Sequence, residues 1–434
     1  MTDMDLLRQA EAVLRGNDLG DYTKPSPRLY PHQWLWDSAF IAIGWAFMDW
    51  PRAVREIDAL LAGQWQNGML PHIIYNPAVT DYHPGPEWWP DAPTRRPEVR
   101  TSGISQPPVL PTAVRIIGML QPDARARLEW WGRIYEPLRD SMLYFSRHRT
   151  LGGSPLIAVI HPWEAGLDNS PRWDFAVKMG LRPSRPYRRI DNTVVPPALR
   201  PTQGDYDLYM HLVEQIAGSG YAMGAYLPAA AFAVYDALFN AVWYRGVRDL
   251  NRIAAALGRP SAVSAGELDA YRAAYRATLW NESSHLFRDV DARDGAQVPV
   301  DTAAGLAAIY GGLVDGKQAA AMLARYRDRS PGCRLIPTVP PDEAAFDAAR
   351  YWRGPVWINI NWFIVRGLED LGLRAEAREL AEETFALAKT SGIHEYYHAL
   401  TGVGIGGGQF SWTAALVVDL AKRPVSQGKE PGDT

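Results

Sequence analysis

Cysteine is nearly absent from this 434-residue chain, where Cys333 stands alone. A disulfide within the chain is excluded, and so is a metal site built on paired thiolates. A lone thiol fits a reducing compartment, and a cytoplasmic location is expected. An excess of charge of one sign is also missing. Lys and Arg total 45 against 48 Asp and Glu, a formal net charge of -3, and no basic block stands out. This balance argues against a nucleic-acid partner or an anionic membrane. No apolar run approaches the roughly 20 residues needed to span a bilayer. The opening MTDMDLLRQAEAVLRG meets acidic residues too early to read as a signal peptide. The nine His form no HExxH pair and no clustered ligand spacing, so neither a metal nor another cofactor is expected. Short repeats and low-complexity linkers are lacking. Residues 1–424 therefore read as one domain and 425–434 as a flexible tail. The sequence leaves open whether the protein forms a homo-oligomer.

Aromatic residues, by contrast, are plentiful: 17 Trp and 20 Tyr. Their flat, partly polar surfaces suit either a packed core or the apolar C–H faces of sugar rings. Nearly half of the residues are hydrophobic (47%), enough for a large core.

Apolar periodicity near 3.6 predicts about thirteen helices. They run over 6–15, 37–48, 53–62, 108–120, 124–147, 206–217, 229–257, 265–280, 302–313, 317–327, 356–371, 374–389 and 412–422. No convincing alternating strand appears. Pro51 suits the first turn of the third helix. Long irregular stretches, at about 64–107, 150–204, 328–353 and 391–410, interrupt the pattern. Such loops are uncommon in compact domains unless they carry function. Paired helices with rich loops at one end predict an all-α fold, an (α/α)6 toroid.

Chemistry concentrates in four stretches. The densest is His161-Pro-Trp-Glu-Ala-Gly-Leu-Asp-Asn-Ser-Pro-Arg-Trp-Asp174, with Gly166 and Pro171 breaking regular structure. A turn explains Asp168-Asn169 without function, but it explains Trp163 and Trp173 poorly. The second is His394-Glu-Tyr-Tyr-His-Ala-Leu-Thr-Gly402, followed by a glycine run and Phe410-Ser-Trp-Thr413. Ser411 or Thr413 is a candidate cap for the last helix. GVGIGGG looks like a phosphate loop but lacks the preceding strand and the Lys-Ser/Thr. A flexible glycine run instead lets backbone lie close to a ligand. The third is Tyr30-Pro-His-Gln-Trp-Leu-Trp-Asp-Ser38. Asp37 either caps the following helix or chelates two sugar hydroxyls. His72 and Tyr82 occupy the next loop. The fourth is Tyr351-Trp-Arg-Gly-Pro-Val-Trp357, where Arg353 reads best as a loop anchor.

WLWDSAF, QPPV, HPWEAGLDNSPRWD, YWRGPVW and EYY…TG…FSWTAA resemble, in this order, bacterial members of glycoside hydrolase family 63. Their mannosylglycerate and glucosylglycerate hydrolases are the nearest likeness. The motifs run from about Gly16 to Leu416. The resemblance implies the same toroid and inverting hydrolysis of an α-glycosidic bond in a small organic-acid glycoside, with no cofactor. It implies Asp168 as general acid and Glu395 as general base, with Glu164 as a rival acid four residues away. Trp34, Trp36, Asp37, His72, Trp163, Glu164, Tyr351, Trp352 and Trp357 fall to the sugar side, and Gly166 is also expected to bind substrate. Tyr30, Tyr82, Gln106, Arg200 and Tyr206 fall to the glycerate end, where an Arg with hydroxyls and an amide suits a carboxylate. Related sequences often carry Pro just before the residues matching Thr401-Gly402. Here His398-Ala399-Leu400 stands instead. Two other classes are carried forward. A sugar isomerase or epimerase would use His72, His161 or His394 as base. A non-catalytic sugar-binding protein would need no acid at all.

Overall fold

The computed structural model describes residues 1–423. The tail expected over 425–434 lies outside the described residues.

Helices dominate. In chain order, those of five residues or more are α1 (Asp3–Gly16), α2 (Leu35–Ala46), α3 (Trp50–Ala62), α4 (Leu110–Met119), α5 (Ala124–His148), α6 (Gln203–Gly218), α7 (Ala237–Ala256), α8 (Ala265–Leu279), α9 (Ala307–Gly311), α10 (Gly316–Asp328), α11 (Ile358–Asp370), α12 (Arg374–Ser391) and α13 (Ser411–Lys422). Packing runs in a closed cycle: α2 meets α4, α4 meets α7, then α9, α11, α13 and back to α2. The remaining neighbours lie outside this cycle, α1 on α13, α3 on α2, α5 on α4 and α7, and α12 on α11. The result is a helical toroid.

Sequence decides which helix lies inside. Every residue of α2 from Leu35 to Trp45 is buried, as expected of a helix that is apolar on nearly all sides. Outer helix α1 buries only Leu6, Ala10, Val13 and Leu14, a single stripe. Inner helices also approach closely. A Cβ on Gly44 of α2 would fall 2.5 Å from the Cα of Ala415 in α13, so only glycine fits that crossing. Among the described residues, no helix is long and apolar enough to cross a membrane.

The expected helices are all present, but several boundaries and caps differ. The helix expected from 229 begins only at Ala237, capped by Asp236, whose carboxylate accepts from Phe239 N–H. Residues before the cap are used otherwise. Strand β4 (Val234–Tyr235) sits between β3 (Ala158–Val159) and β5 (Val290–Asp291) in an antiparallel sheet. Three more short pairs were not expected: β1 (Gln33–Trp34) with β2 (Ile73–Ile74), Trp280–Asn281 with Leu286–Phe287, and β6 (His394–Tyr397) with β7 (Gly404–Gly408). Strands this short carry no alternating pattern to read. Asp37 does not cap α2, because the helix starts at Leu35 and Trp34 is its cap. Neither Ser411 nor Thr413 caps α13; their hydroxyls donate to Lys24 O and His394 O. Pro51 does lie in the first turn of α3.

Candidate active site

The long loops gather at one end of the toroid around an open cavity, about 870 Å³ with the solvent space at its mouth included. Each wall is positioned by identifiable bonds. Leu35 N–H donates to His72 O and His72 N–H to Ile104 O, which joins three chain segments beneath the cavity. α2 then presents Trp36 and Asp37 from its first turn. The side-chain carbonyl of Gln106 accepts from Trp36 N–H at 3.3 Å, which leaves its NH2 group for the cavity.

The 158–174 loop is fixed by three arginines bound to carboxylates. Arg149 grips Glu164 through two bonds of 2.9 and 2.6 Å. Arg172 lies between Asp236 and Asp289, both at 2.7 Å. Arg353 takes Asp174 at 2.7 and 2.8 Å, which bears out its reading as an anchor. Within this frame Ser170 N–H closes a turn on Leu167 O, so Asp168-Asn169 do form a turn. Asn169 reaches beyond it, accepting from Trp352 N–H at 3.0 Å, and Tyr209 hydroxyl donates to Asp168 O at 2.8 Å. The backbone of Asp168 is thereby held while its side chain lines the cavity.

Burial pushes the Asp168 carboxyl up to about 8; the Glu395 charge acts in the same direction, and Arg200 and the Tyr351 hydroxyl oppose it. Burial also drives Asp37 well above the usual carboxylate range, with Glu395 and Asp168 adding to the effect. His72, stacked on Trp163, is held well below its ordinary value by burial and is neutral. Its Nδ1 lies 2.8 Å from Ser102 Oγ.

Glu395 arrives from β6 and is 1% exposed. Its Oε1 accepts from Tyr30 hydroxyl at 2.8 Å and its Oε2 from Gly407 N–H at 2.8 Å. Arg200 Nη1 stands 3.6 Å from Oε1. The pairing of β6 with β7 slips between His394 and Tyr396, a bulge that sets the glycine run against the carboxylate. Gly404–Gly408 of GVGIGGG is thus itself a strand, and its close approach is to an acid of the protein's own. Tyr351, beneath the Arg200 guanidinium at 4.1 Å, takes a φ of 37°, an uncommon value for a non-glycine residue.

The tertiary structure thus brings Tyr30, Trp34, Trp36, Asp37, His72, Tyr82, Gln106, Trp163, Gly166, Asp168, Arg200, Tyr206, Tyr351, Trp352 and Glu395 to one cavity. Two expected residues are corrected. Glu164 does not line it: both oxygens are taken by Arg149 and by the N–H groups of Ser105 and Ile160. It is a buried anchor, unavailable as a rival acid. Trp357 lies behind the wall, stacked on Trp352 at 3.5 Å and 8°, and supports it. Of the three histidines considered as an isomerase base, only His72 reaches the cavity. His161 is fully occupied, accepting from Trp163 N–H and bonded through Nε2 to Tyr209 O.

Several wall residues were missed: Leu29, Ile73, Tyr75, His83, Pro84, Ile190, Asp191, Phe410 and Trp412. Phe410 and Trp412 stood inside a motif already singled out, which was a usable signal. Asp191 gave none. Among the described residues no cluster of three His, Cys, Asp or Glu could hold a metal ion.

A cavity walled by indoles, with the carboxyls of Asp168 and Glu395 on its wall and set in a helical toroid, defines a glycosidase-type site. The mannosylglycerate hydrolase MGH1-like glycoside hydrolase domain matches residues 30–413. The chain is 39% identical over 431 residues to a mannosylglycerate hydrolase of Rubrobacter radiotolerans, covering 96% of each. It is 35% identical to a glucosylglycerate hydrolase of Mycolicibacterium hassiacum, covering 96% of this chain and 98% of that one. The crystal structure of a family 63 mannosylglycerate hydrolase from Thermus thermophilus, in complex with Tris and D-glycerate, superposes with a TM-score of 0.90 at 36% identity, over 96% of this chain and 100% of that one. The chain belongs to glycoside hydrolase family 63, in its mannosylglycerate and glucosylglycerate hydrolase group, and is a glycoside hydrolase.

Proposed function

We propose that this hydrolase cleaves the α-glycosidic bond of mannosylglycerate with inversion, Asp168 acting as general acid and Glu395 as general base. The observation that carries this reading is that Asp168 and Glu395, from distant loops, line one cavity, with Asp168 pushed up to about 8 by burial. At neutral pH Asp168 keeps its proton and delivers it to the glycosidic oxygen as the bond to the anomeric carbon breaks. Glu395, with donors facing both oxygens, takes a proton from the water that attacks that carbon from the opposite face. Inversion requires the two carboxyls to stand roughly 6.5–9.5 Å apart, leaving room for that water.

The hexose stacks among Trp34, Trp36, Trp163 and Trp352, with Asp37 and His72 reading hydroxyls. Glycerate lies toward Tyr30, Tyr82, Gln106, Arg200 and Tyr206. Glucosylglycerate is the second reading, favoured by the Mycolicibacterium relative, since the two sugars differ in the orientation of one hydroxyl. In this reading the helical cycle is an (α/α)6 toroid, residues 1–424 form one catalytic domain, and the enzyme works in the cytoplasm without a cofactor.

Purified protein, offered mannosylglycerate, glucosylglycerate and their glycerol analogues, is expected to release hexose and glycerate from the glycerates. NMR of fresh product is expected to show the inverted anomer. A retained anomer refutes Glu395 as base. Asp168→Asn and Glu395→Gln are each expected to lower kcat by about 10²–10⁴-fold with modest change in KM.

A further inference from the structure

The scheme above leaves Asp191 on the cavity wall without a task. It opens a single helical turn, Asp191–Val194, and is 6% exposed. Its carboxylate is shared unequally. Arg189 holds both oxygens, Nε to Oδ1 at 3.1 Å and Nη2 to Oδ2 at 2.9 Å, whereas Arg200 Nε reaches Oδ2 only at 3.4 Å. Arg189 is clamped in turn, over the Tyr206 ring at 3.9 Å and donating to Pro201 O at 2.8 Å. Asp191 is therefore pinned by Arg189 and sits beside Arg200 at a distance longer than the usual charged hydrogen bond.

Arg200 does not depend on Asp191 for its place. Its Nη2 donates to Tyr30 hydroxyl at 3.1 Å, and its guanidinium lies over Tyr351 at 4.1 Å. Two carboxylates face it loosely, Asp191 at 3.4 Å and Glu395 at 3.6 Å. Its buried Nη1 makes no hydrogen bond among the described residues. Two cations, Arg189 and Arg200, thus already face two acidic side chains before any ligand arrives. A ligand carboxylate meeting Nη1 stands among buried side chains next to the charge of Asp191, where repulsion is less screened than in bulk water.

We infer that Asp191 is a specificity-determining residue that weakens the grip of Arg200 on carboxylates, so that the free organic acid leaves and stray small anions do not block the cavity. This rests on the reading of the substrate as an organic-acid glycoside. Binding of D-glycerate and of glycerol is measured by calorimetry on the wild type, Asp191→Asn and Arg189→Gln, each first checked for folding by thermal melt. Asp191→Asn is expected to bind D-glycerate about tenfold tighter or more, with glycerol changed by less than about twofold. Its kcat on mannosylglycerate is expected to fall through slower product release, while KM falls too. Arg189→Gln frees Asp191 to close on Arg200 and is expected to weaken D-glycerate binding. An unchanged ratio of D-glycerate to glycerol affinity in both variants overturns the inference, as does weaker D-glycerate binding in Asp191→Asn. Absence of wild-type turnover on any organic-acid glycoside overturns the functional reading instead, and leaves the calorimetric ratio to judge Asp191 on its own.

Discussion

A Cβ on Gly406 would lie 2.3 Å from Oε2 of Glu395. The glycine also has a φ of 75°, in the left-handed region. Gly406→Ala therefore forces the acid to move and strains the backbone by about 1–2 kcal/mol. Turnover is expected to fall by about 10²-fold, since small displacements of a reacting group cost that much. Gly408→Ala is the control, because its Cβ would meet nothing within 4 Å. Steady-state kinetics and thermal melts of both variants check this. Equal kcat in the two would show that Glu395 is not held by the glycine run.

Asp168 sets an alkaline limit. In the proposed mechanism its proton is needed, and burial raises its carboxyl to about 8. Activity is expected to hold below that value and to fall as pH rises through it, read as the alkaline limb of kcat/KM. The same group affects stability. A carboxyl raised above its unfolded value of about 3.9 contributes fully below that pH, and its contribution is lost as pH rises through about 8. Asp168→Asn is expected to remove this loss, so its denaturation midpoint should exceed that of the wild type at pH 9. A midpoint equal to or below wild type there would argue against a buried, proton-holding Asp168.

Arg149 and Glu164 are each 1% exposed and bonded twice to one another. Arg149→Met leaves a buried carboxylate uncompensated and is expected to cost about 3–5 kcal/mol in a urea melt. Glu164→Gln keeps an oxygen for only one of the two backbone N–H donors, Ser105 or Ile160, so it is expected to lose stability, yet it should retain far more turnover than Asp168→Asn. Equal loss in the two would restore Glu164 as an acid.

Trp357 stacks behind Trp352 and donates from Nε1 to Tyr351 O at 2.9 Å. Trp357→Phe is expected to lower stability by about 1–3 kcal/mol, the cost of a buried carbonyl left unpaired. KM should change less than in Trp352→Phe, whose ring faces the cavity. Kinetics paired with melts separate the two effects.

The family motifs anchored most of the cavity list, because Trp34, Trp36, Trp163 and Trp352 stand in short runs whose neighbours are equally distinctive. Glu164 and Trp357 stood in the same runs and still point elsewhere. A motif records which residues travel together and says nothing of which face turns inward. Arg149, fifteen positions before Glu164, decides that case by binding both of its oxygens. Short strands such as Gln33–Trp34 were illegible for another reason. Two residues give no period, and their partners lie about forty positions away.

Composition and local pattern by themselves determined a large, mainly helical, aromatic-rich chain with a lone cysteine, because helical period and side-chain chemistry are properties of neighbours. Only the tertiary structure could place Asp168 and Glu395 in one cavity, raise the proton affinity of Asp168 by burial, and lay Asp191 against two arginines. Proton affinity and charge balance depend on what surrounds a group in space, and those surroundings come from segments far apart along the chain.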